Sequence, residues 1–245
     1  LRLLRRTPPL LDRYSGREAQ LEVLLAGRQY DAGCIEHFWC APYYRVMRPR
    51  CRKMVLDLHK IESEWHLSAS EADSWPVSAG HRRFAATYKA LERLYIPLFD
   101  HVLVTSDREA SLIPARRVTV YPNSIPYFAR PRTAPEQSLV FSGNLEYHPN
   151  QQAVRYFYRE IWPALRSRWP KLKWRILGKN PRGVSREVAG DPRIELTGPV
   201  PEAIPELSQS QIAIVPVLAG SGTRVKILEA WAAGLPVVST SIGAE

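Results

Sequence analysis

Short apolar runs alternate with longer amphipathic segments along most of the chain, and this alternation constrains the fold more than any other feature. The runs are too short to be buried helices. Nine of them are predicted strands: Gly33–Glu36, Met54–Leu58, His101–Thr105, Val118–Tyr121, Leu139–Ser142, Trp174–Leu177, Ile194–Leu196, Ile212–Val217 and Pro236–Ser239. Helices are predicted at Arg17–Arg28, Arg82–Pro97, Asp107–Ile113 and from Gln151 onward. We expect Pro163 to kink or split the last of these. The alternation predicts an α/β fold with parallel sheets covered by helices on both faces.

A proline-rich stretch interrupts the alternation near the middle of the chain. Pro122–Pro135 holds four prolines in fourteen residues, which predicts a stiff, non-helical connector. We therefore expect two Rossmann-like lobes, at residues 1–127 and 138–245, joined by a linker at 128–137. In such lobes a ligand binds at the carboxyl ends of the strands, so the two sheets are expected to face a central cleft.

The segment near the end of the chain combines a strand, a glycine loop and a helix start. Ile212–Leu218 is an apolar run, and Ala219–Gly222 is a loop of small residues. Thr223 is then a candidate N-cap for a helix whose apolar positions recur at helical spacing. A helix start of this kind presents free backbone N–H groups and a partial positive charge, which suits an anion.

The first turns of that predicted helix also carry charge. Arg224 and Lys226 are cationic, and Glu229 follows about one turn later. A phosphate suits the cations and a sugar hydroxyl suits the carboxylate, so the segment predicts a site for a nucleoside diphosphate. The alternative is an ordinary ion pair on a helix surface, worth only a few tenths of a kcal/mol (roughly 0.2–0.5).

Composition excludes several classes of protein. The chain has 245 residues, of which 45% are hydrophobic and 24% charged, as in globular proteins. No apolar stretch approaches the ~18 residues of a membrane span. Three cysteines, an odd number without metal-site spacing, suit a reducing cytoplasm. We therefore expect a cytoplasmic protein.

The net charge of +10 is concentrated partly in the 45–53 region, which holds four arginines and a lysine beside Tyr43 and Tyr44. Such a patch can contact anionic lipid headgroups, which would place the protein at the inner face of the cytoplasmic membrane as a peripheral protein. The alternative is a solvated surface. No nucleic-acid-binding motif accompanies the patch, so we expect no nucleic-acid partner.

Several motifs resemble one family of enzymes. In the second half they are Phe141–Asn150, Ile176–Pro181, Leu196–Val200 and Gly220–Ala230. In the first half they are Val55–Glu62, Phe99–Ser106 and Val120–Ser124. Together they resemble a GT-B glycosyltransferase of family 4, from the branch of bacterial exopolysaccharide and cell-surface sugar transferases. The resemblance covers about residues 17–245 and is stronger after residue 138.

The resemblance implies an enzyme that moves a hexose-type sugar from a nucleoside-diphosphate donor to a hydroxyl of a glycan or a lipid-linked acceptor. It also implies that the sugar's anomeric configuration is retained and that neither a metal nor another cofactor is needed. The first lobe would bind the acceptor and the second the donor. The implied catalytic residues are His59, Arg224 and Lys226. The implied donor-binding residues are Gly143, Asn144, Gly178, Lys179, Asn180, Thr197, Gly198, Gly222, Thr223 and Glu229.

The chain departs from the family pattern at two places. The family has two glutamates eight positions apart, and the first falls here at Ser221. It also has an arginine and a lysine near the start of the donor lobe, where this chain has Asn144 and about Pro149. A diphosphate leaving group still needs charge compensation, and Arg224 and Lys226 are the nearest replacements.

The resemblance further implies strands before Leu1 and a donor-lobe segment after Glu245, so we expect the chain to be a fragment lacking both termini. Two other functions stay open on the same lobes. One is a nucleotide-sugar 2-epimerase, which would require additional acidic and histidine residues in the cleft. The other is a non-catalytic subunit that binds a glycan or a lipid, which would not require the donor site.

Overall fold

The structure is a computed structural model that describes residues 7–126, 137–188 and 190–244. The chain divides into two compact units. The first unit runs through Asn123 and also includes Gly220–Thr223, and the second comprises the rest of the chain from Ser124 onward. The predicted linker at 128–137 lies outside the described residues, apart from Gln137.

The first unit contains a four-stranded parallel sheet in the order β1-β2-β3-β4. Its strands are β1 Tyr30–Glu36, β2 Cys51–Asp57, β3 His101–Val104 and β4 Val118–Val120. Its α-helices are α1 Pro9–Tyr14, α2 Glu18–Leu25, α3 Tyr44–Met47, α4 Glu62–Ala72, α5 Val77–Tyr95 and α6 Asp107–Leu112. Met54, Leu56 and Val102 are fully buried, because the central strands are covered on both faces.

The second unit contains a five-stranded parallel sheet in the order β7-β6-β5-β8-β9. Its strands are β5 Ser138–Ser142, β6 Lys173–Leu177, β7 Ile194–Gly198, β8 Ile212–Val215 and β9 Val237–Ser239. Its α-helices are α7 His148–Tyr156, α8 Trp162–Arg168, α9 Arg182–Val188, α10 Ala203–Leu207 and α11 Val225–Ala232. The core includes Phe141, Trp162 and Trp174, each fully buried.

The strand order of the second unit indicates where a crevice suited to a ligand lies. From β5 the chain proceeds outward through β6 and β7, and it then returns to pair β8 against the other side of β5. In open parallel sheets such a reversal opens a crevice at the carboxyl ends of the strands. The loops after β5 and β8 border this crevice.

All nine predicted strands are present, with ends that shift by one to three residues. The predicted helix from Gln151 begins earlier, at His148, and is divided by a π-helical segment at Phe157–Ile161. Pro163 then occupies the second position of α8, where a missing backbone N–H leaves no helical hydrogen bond unmade. Helix α4 was not predicted, because its sequence mixes buried and exposed polar residues.

Among the described residues, no helix combines the length and the apolarity that crossing a bilayer requires.

Candidate functional site

Three of the predicted glycines lie side by side at the carboxyl ends of β5, β6 and β7. The Gly143 N–H donates to the Leu177 carbonyl at 2.9 Å, and the Gly178 N–H donates to the Gly198 carbonyl at 3.0 Å. Gly178 has φ of 150°, and a Cβ there would lie 1.9 Å from the Gly143 carbonyl oxygen. Glycine is therefore required at position 178 because two backbone segments meet without room for a side chain.

A cavity of about 480 Å³ opens at this edge of the sheet, within the second unit. Six of the predicted site residues line it: Gly143, Asn144, Gly178, Lys179, Lys226 and Glu229. They come from the loops after β5 and β6 and from the start of α11, so strand order brings together residues that are more than 80 positions apart. A volume of this size can hold part of a small-molecule ligand.

Lys226 supplies a cation to the cavity. Its Nζ donates to Asn150 Oδ1 at 2.8 Å and lies 4.5 Å from the centre of the Phe141 ring. Burial, together with the nearby charge of Arg224, lowers the pKa of Lys226 to about 7, although Glu229 acts in the opposite direction. An anion bound beside Nζ would favour the protonated ammonium, so binding of a phosphate and protonation of Lys226 support each other.

Arg224 and Glu229 flank Lys226 on the same segment. Arg224 is the N-cap residue of α11, and its Nη2 donates to the Ile242 carbonyl at 3.2 Å. Glu229 is half-buried, and burial raises the pKa of its carboxyl although Lys226 lowers it. The first turn of α11 thus places Lys226 in the cavity beside the positive end of the helix dipole, whereas the cavity lining does not include Arg224.

Asn150 is a cavity-associated residue that the sequence did not single out. It is 8% exposed and lies in the first turn of α7. Its Nδ2 donates to the Asn144 carbonyl at 2.9 Å, while its Oδ1 accepts from Lys226. The only local signal was its place in the motif Phe141–Asn150, because a buried asparagine next to a proline resembles any helix start.

The remaining predicted residues of the second unit surround the strand ends. Lys179 and Asn180 are exposed after β6, and Asn180 adopts the left-handed φ of 58°. The Lys179 carbonyl accepts from the Leu145 N–H at 3.0 Å. Thr197 Oγ1 lies 3.4 Å from the Ile176 carbonyl oxygen, which holds its hydroxyl against the backbone.

Gly222 and Thr223 belong to the first unit, whereas the three clustered glycines belong to the second. The Thr223 N–H donates to Thr105 Oγ1 at 3.4 Å, and Thr223 Oγ1 donates to the Thr105 carbonyl at 3.3 Å. The prediction that Thr223 caps α11 is wrong. The helix begins at Val225 without a side-chain cap bond, because the Thr223 hydroxyl is engaged by Thr105. A Cβ at Gly222, whose φ is 79°, would lie 2.8 Å from the His59 carbonyl oxygen.

His59 is exposed just beyond the carboxyl end of β2 and belongs to a row of rings in the first unit. Its ring centre lies 4.3 Å from that of His37, which stacks at 4.3 Å on Trp39. His37 has φ of 65°, an uncommon conformation for a residue with a side chain. Burial lowers the pKa of His37, and the neighbouring His59 lowers it further, so His37 faces His59 as a neutral ring at neutral pH.

Comparison with known proteins agrees with this geometry. Residues 136–245 match the model of the family described as Glycosyl transferases group 1. The chain is also similar to the pneumococcal O-GlcNAc transferase GtfA in complex with UDP and GlcNAc. The TM-score is 0.59 at 15% identity, over 92% of this chain and 44% of that one. The fold is that of the GT-B glycosyltransferases.

Two further similarities extend the comparison. A trehalose-6-phosphate synthase, studied for glycosyl transfer with retention, superposes with a TM-score of 0.62 at 14% identity, over 92% of this chain and 63% of that one. An uncharacterized 44.6 kDa protein in the cps region of Klebsiella pneumoniae is 30% identical over 116 residues. That match covers 44% of this chain and 30% of the Klebsiella protein. The chain thus spans less than two thirds of the length of each of these proteins.

Proposed function

We propose that this chain serves in transferring a sugar from a nucleoside-diphosphate donor to a hydroxyl of a glycan or a lipid-linked acceptor. The observation that carries the proposal is Lys226, whose Nζ lines a cavity at the glycine-bordered strand ends of the second unit. The match of residues 136–245 to Glycosyl transferases group 1 supports the same reaction and favours it over an epimerase or a binding subunit. The similar pneumococcal transferase was crystallised in complex with UDP, which supports a nucleotide donor.

The charges at the start of α11 suit a departing diphosphate. As the bond between the sugar C1 and the phosphate oxygen breaks, negative charge develops on that oxygen. Lys226, Arg224 and the positive end of the helix dipole are proposed to stabilise this charge. A bound diphosphate would also keep Lys226 protonated, because its negative charge opposes the burial that lowers the pKa of Lys226 to about 7. Two cationic side chains would then replace a divalent metal ion, so we expect catalysis without a metal or another cofactor.

The other cavity residues are proposed to fix the donor's position. Glu229 would accept hydrogen bonds from the ribose hydroxyls, and the loops with Lys179, Asn180 and Thr197 would surround the base. Gly143 and Gly178 let the loops after β5 and β6 pack closely beside the cavity, because a side chain at either position would collide with Asn150 or with the Gly143 carbonyl.

His59 is proposed to act close to the transferred sugar, and the reaction is expected to retain the anomeric configuration. Retention is the outcome studied for the similar trehalose-6-phosphate synthase. The Klebsiella protein encoded in a cps region supports a role in cell-envelope polysaccharide synthesis. We expect a cytoplasmic location, with the exposed Arg45, Arg52 and Lys53 able to contact anionic lipid at the inner face of the membrane.

A panel of nucleotide sugars tests the proposal directly. Thermal unfolding should shift upward with UDP-, GDP- or dTDP-linked sugars of one class, because a ligand that binds only the folded state stabilises it. The stabilising donor is then supplied with lipid-linked and oligosaccharide acceptors, with and without EDTA, and NMR records the anomeric configuration of the product. No stabilisation by any donor would refute the proposed donor site. Loss of activity in EDTA with rescue by Mn²⁺ would refute the metal-free mechanism.

A further inference from the structure

Asn150 connects two parts of the cavity that are far apart in sequence. Its side-chain amide donates to the carbonyl of Asn144, in the loop after β5, and accepts from Nζ of Lys226, in the first turn of α11. Both hydrogen bonds are short, at 2.9 Å and 2.8 Å. The amide therefore fixes where the lysine's charge lies relative to the loop.

The surroundings of Asn150 leave its amide little freedom. The residue is 8% exposed, and a Cβ at Gly143 would lie 2.7 Å from Asn150 Nδ2. Gly143 thus leaves room for the amide, and helix α7 holds the backbone of Asn150 in place. The ring of Phe141 lies on another side of Nζ, which leaves the lysine a narrow range of positions.

The chemical identity of the amide matters as much as its position. A carboxylate at the same place would also bind Nζ, but it would neutralise the charge that a bound anion needs. An amide oxygen is a neutral acceptor, so it can orient an ammonium without cancelling its charge. An apolar side chain would leave the ammonium's proton without this acceptor in a half-buried site.

We propose that Asn150 is a positioning residue that holds Lys226 Nζ at the cavity and leaves its positive charge available to the diphosphate of the donor. The inference rests on the proposed function for the identity of the anion. The hydrogen bond and its consequence for Lys226 can be tested without any nucleotide.

The charged groups near Lys226 also affect its pKa, so they must stay unchanged in that test. Arg224 and Glu229 flank it on the same segment, and Lys179 lines the cavity from the loop after β6. From α7, Asn150 contributes a neutral group. Changing Asn150 therefore alters the acceptor on Nζ while the neighbouring charges stay the same.

The first experiment measures the pKa of Lys226 by competitive labelling with acetic anhydride across a pH series, read by mass spectrometry of the Lys226 peptide. A hydrogen bond to the charged form raises the pKa of a base, and a carboxylate raises it more. Asn150→Ala should lower the pKa of Lys226 by about one pH unit, and Asn150→Asp should raise it by at least as much. Gln151→Ala is the matched control, because Gln151 Nε2 donates to the Leu145 carbonyl at 2.7 Å, a hydrogen bond from the same helix to the same loop that does not involve Lys226.

The second experiment measures the affinity for UDP by calorimetry at about pH 6 and about pH 8. Asn150→Asp should bind UDP about tenfold more weakly than the wild type at about pH 6, because its carboxylate competes with the diphosphate. The deficit should be smaller at about pH 8, where the raised pKa keeps Lys226 protonated in this variant. Asn150→Ala should be weakened more at the higher pH, where Lys226 is deprotonated. A residue with a merely structural role would weaken binding equally at both.

The two experiments separate the possible failures. If the labelling curve of Lys226 is the same in the wild type, Asn150→Ala and Asn150→Asp, the inference is wrong whatever the protein binds. If the labelling curves differ as expected but the wild type does not bind UDP or another nucleoside diphosphate, the positioning of Lys226 stands and the proposed function fails. Asn150→Asp is close to isosteric, so it keeps the test decisive if Asn150→Ala does not fold.

Discussion

The two units place their ionisable groups differently. In the second unit Phe141, Trp162 and Trp174 are fully buried, and the cation of Lys226 lies at the carboxyl ends of the strands. The buried Arg175 and Asp191 form ion pairs with partly exposed partners. In the first unit the space between α4 and α5 holds carboxyls and imidazoles. Glu62 is 1% exposed, and His66 is 7% exposed.

The polar groups of the first unit satisfy much of their bonding among themselves. The Ser63 N–H donates to Glu92 at 2.9 Å, and the ring nitrogens of His66 and His81 lie 2.8 Å apart. His81 lies 3.5 Å from the Asp73 carboxylate. Burial raises the pKa of Glu62 and of Glu92, so folding of this unit holds ionisable groups away from their usual protonation equilibria. The comparison teaches that a buried charge serves a ligand when it borders a cavity, and serves the fold when its partners are other buried groups.

The largest expected effect comes from a substitution that disturbs the backbone at the strand ends of the second unit. Gly178→Ala places a Cβ against the Gly143 carbonyl oxygen and should lower the free energy of unfolding by about 2–4 kcal/mol. Hydrogen exchange should show that the loss is confined to the second unit. Gly190→Ala is the control, because its Cβ would enter open space, and its effect should stay within about 0.5 kcal/mol. An equal loss of protection in the first unit would show that the substitution acts beyond the strand ends of the second unit.

Removing the cavity's cation should have the next largest effect. Lys226→Met keeps much of the side-chain volume but loses the ammonium, so sugar transfer should fall on the order of a hundredfold. Steady-state kinetics with the donor found by the panel measure this, and Lys171→Met, an exposed lysine of the same unit, is the control. Wild-type turnover in Lys226→Met would show that Lys226 is not needed for transfer and would favour the alternative of an ordinary ion pair on a helix surface.

A smaller effect should separate the roles of the two units. His59→Ala should lower turnover by about tenfold while the affinity for UDP changes by less than about twofold, because we assign binding of the diphosphate to the second unit. His101→Ala is the control, since His101 begins β3 and so lies at the amino ends of the strands, whereas His59 lies beyond their carboxyl ends. A parallel loss of UDP affinity in His59→Ala would break the proposed division of roles.

The smallest effect concerns the polar interior of the first unit. Burial, together with the neighbouring His81 and Lys60, lowers the pKa of His66 to about 3. Between about pH 6.5 and pH 3 the unfolded chain therefore takes up a proton that the folded chain does not, so this group's contribution to stability is lost as the pH falls. Glu62 and Glu92, whose pKa values are raised, stabilise the folded state as the pH falls and so act in the opposite direction. The contribution of His66 is therefore taken from the difference in unfolding free energy between the wild type and a His66 variant.

His66→Leu should remove this contribution. Relative to the variant, the wild type should lose about 1 kcal/mol of unfolding free energy on going from about pH 7.5 to pH 5.5, as measured by urea unfolding. His148→Ala, at an exposed histidine, provides the control. Identical pH profiles for wild type and His66→Leu would show that folding does not lower the pKa of His66.

The local sequence determined the α/β class, the nine strands and the glycines at the strand ends. These depend on alternation and on loop composition, which act over a few residues. It also pointed to Lys226 and Glu229, because a cation and a carboxylate at the start of a helix after a glycine loop form a local pattern. The use of Thr223 as a helix cap was predicted from the same pattern and was wrong, since the competing partner, Thr105, is 118 residues away.

Only the tertiary structure decided which groups meet. Asn150 contacts Lys226 across 76 positions because β5 and β8 are neighbours in the sheet, and no local pattern encodes that order. The left-handed conformation of His37 and its contact with His59 arise in the same way, from the pairing of β1 with β2. Burial adjusts the protonation of these groups, and burial is a property of the packed chain. The sequence thus determined which chemical groups are present, and the order of the strands decided where their charges lie.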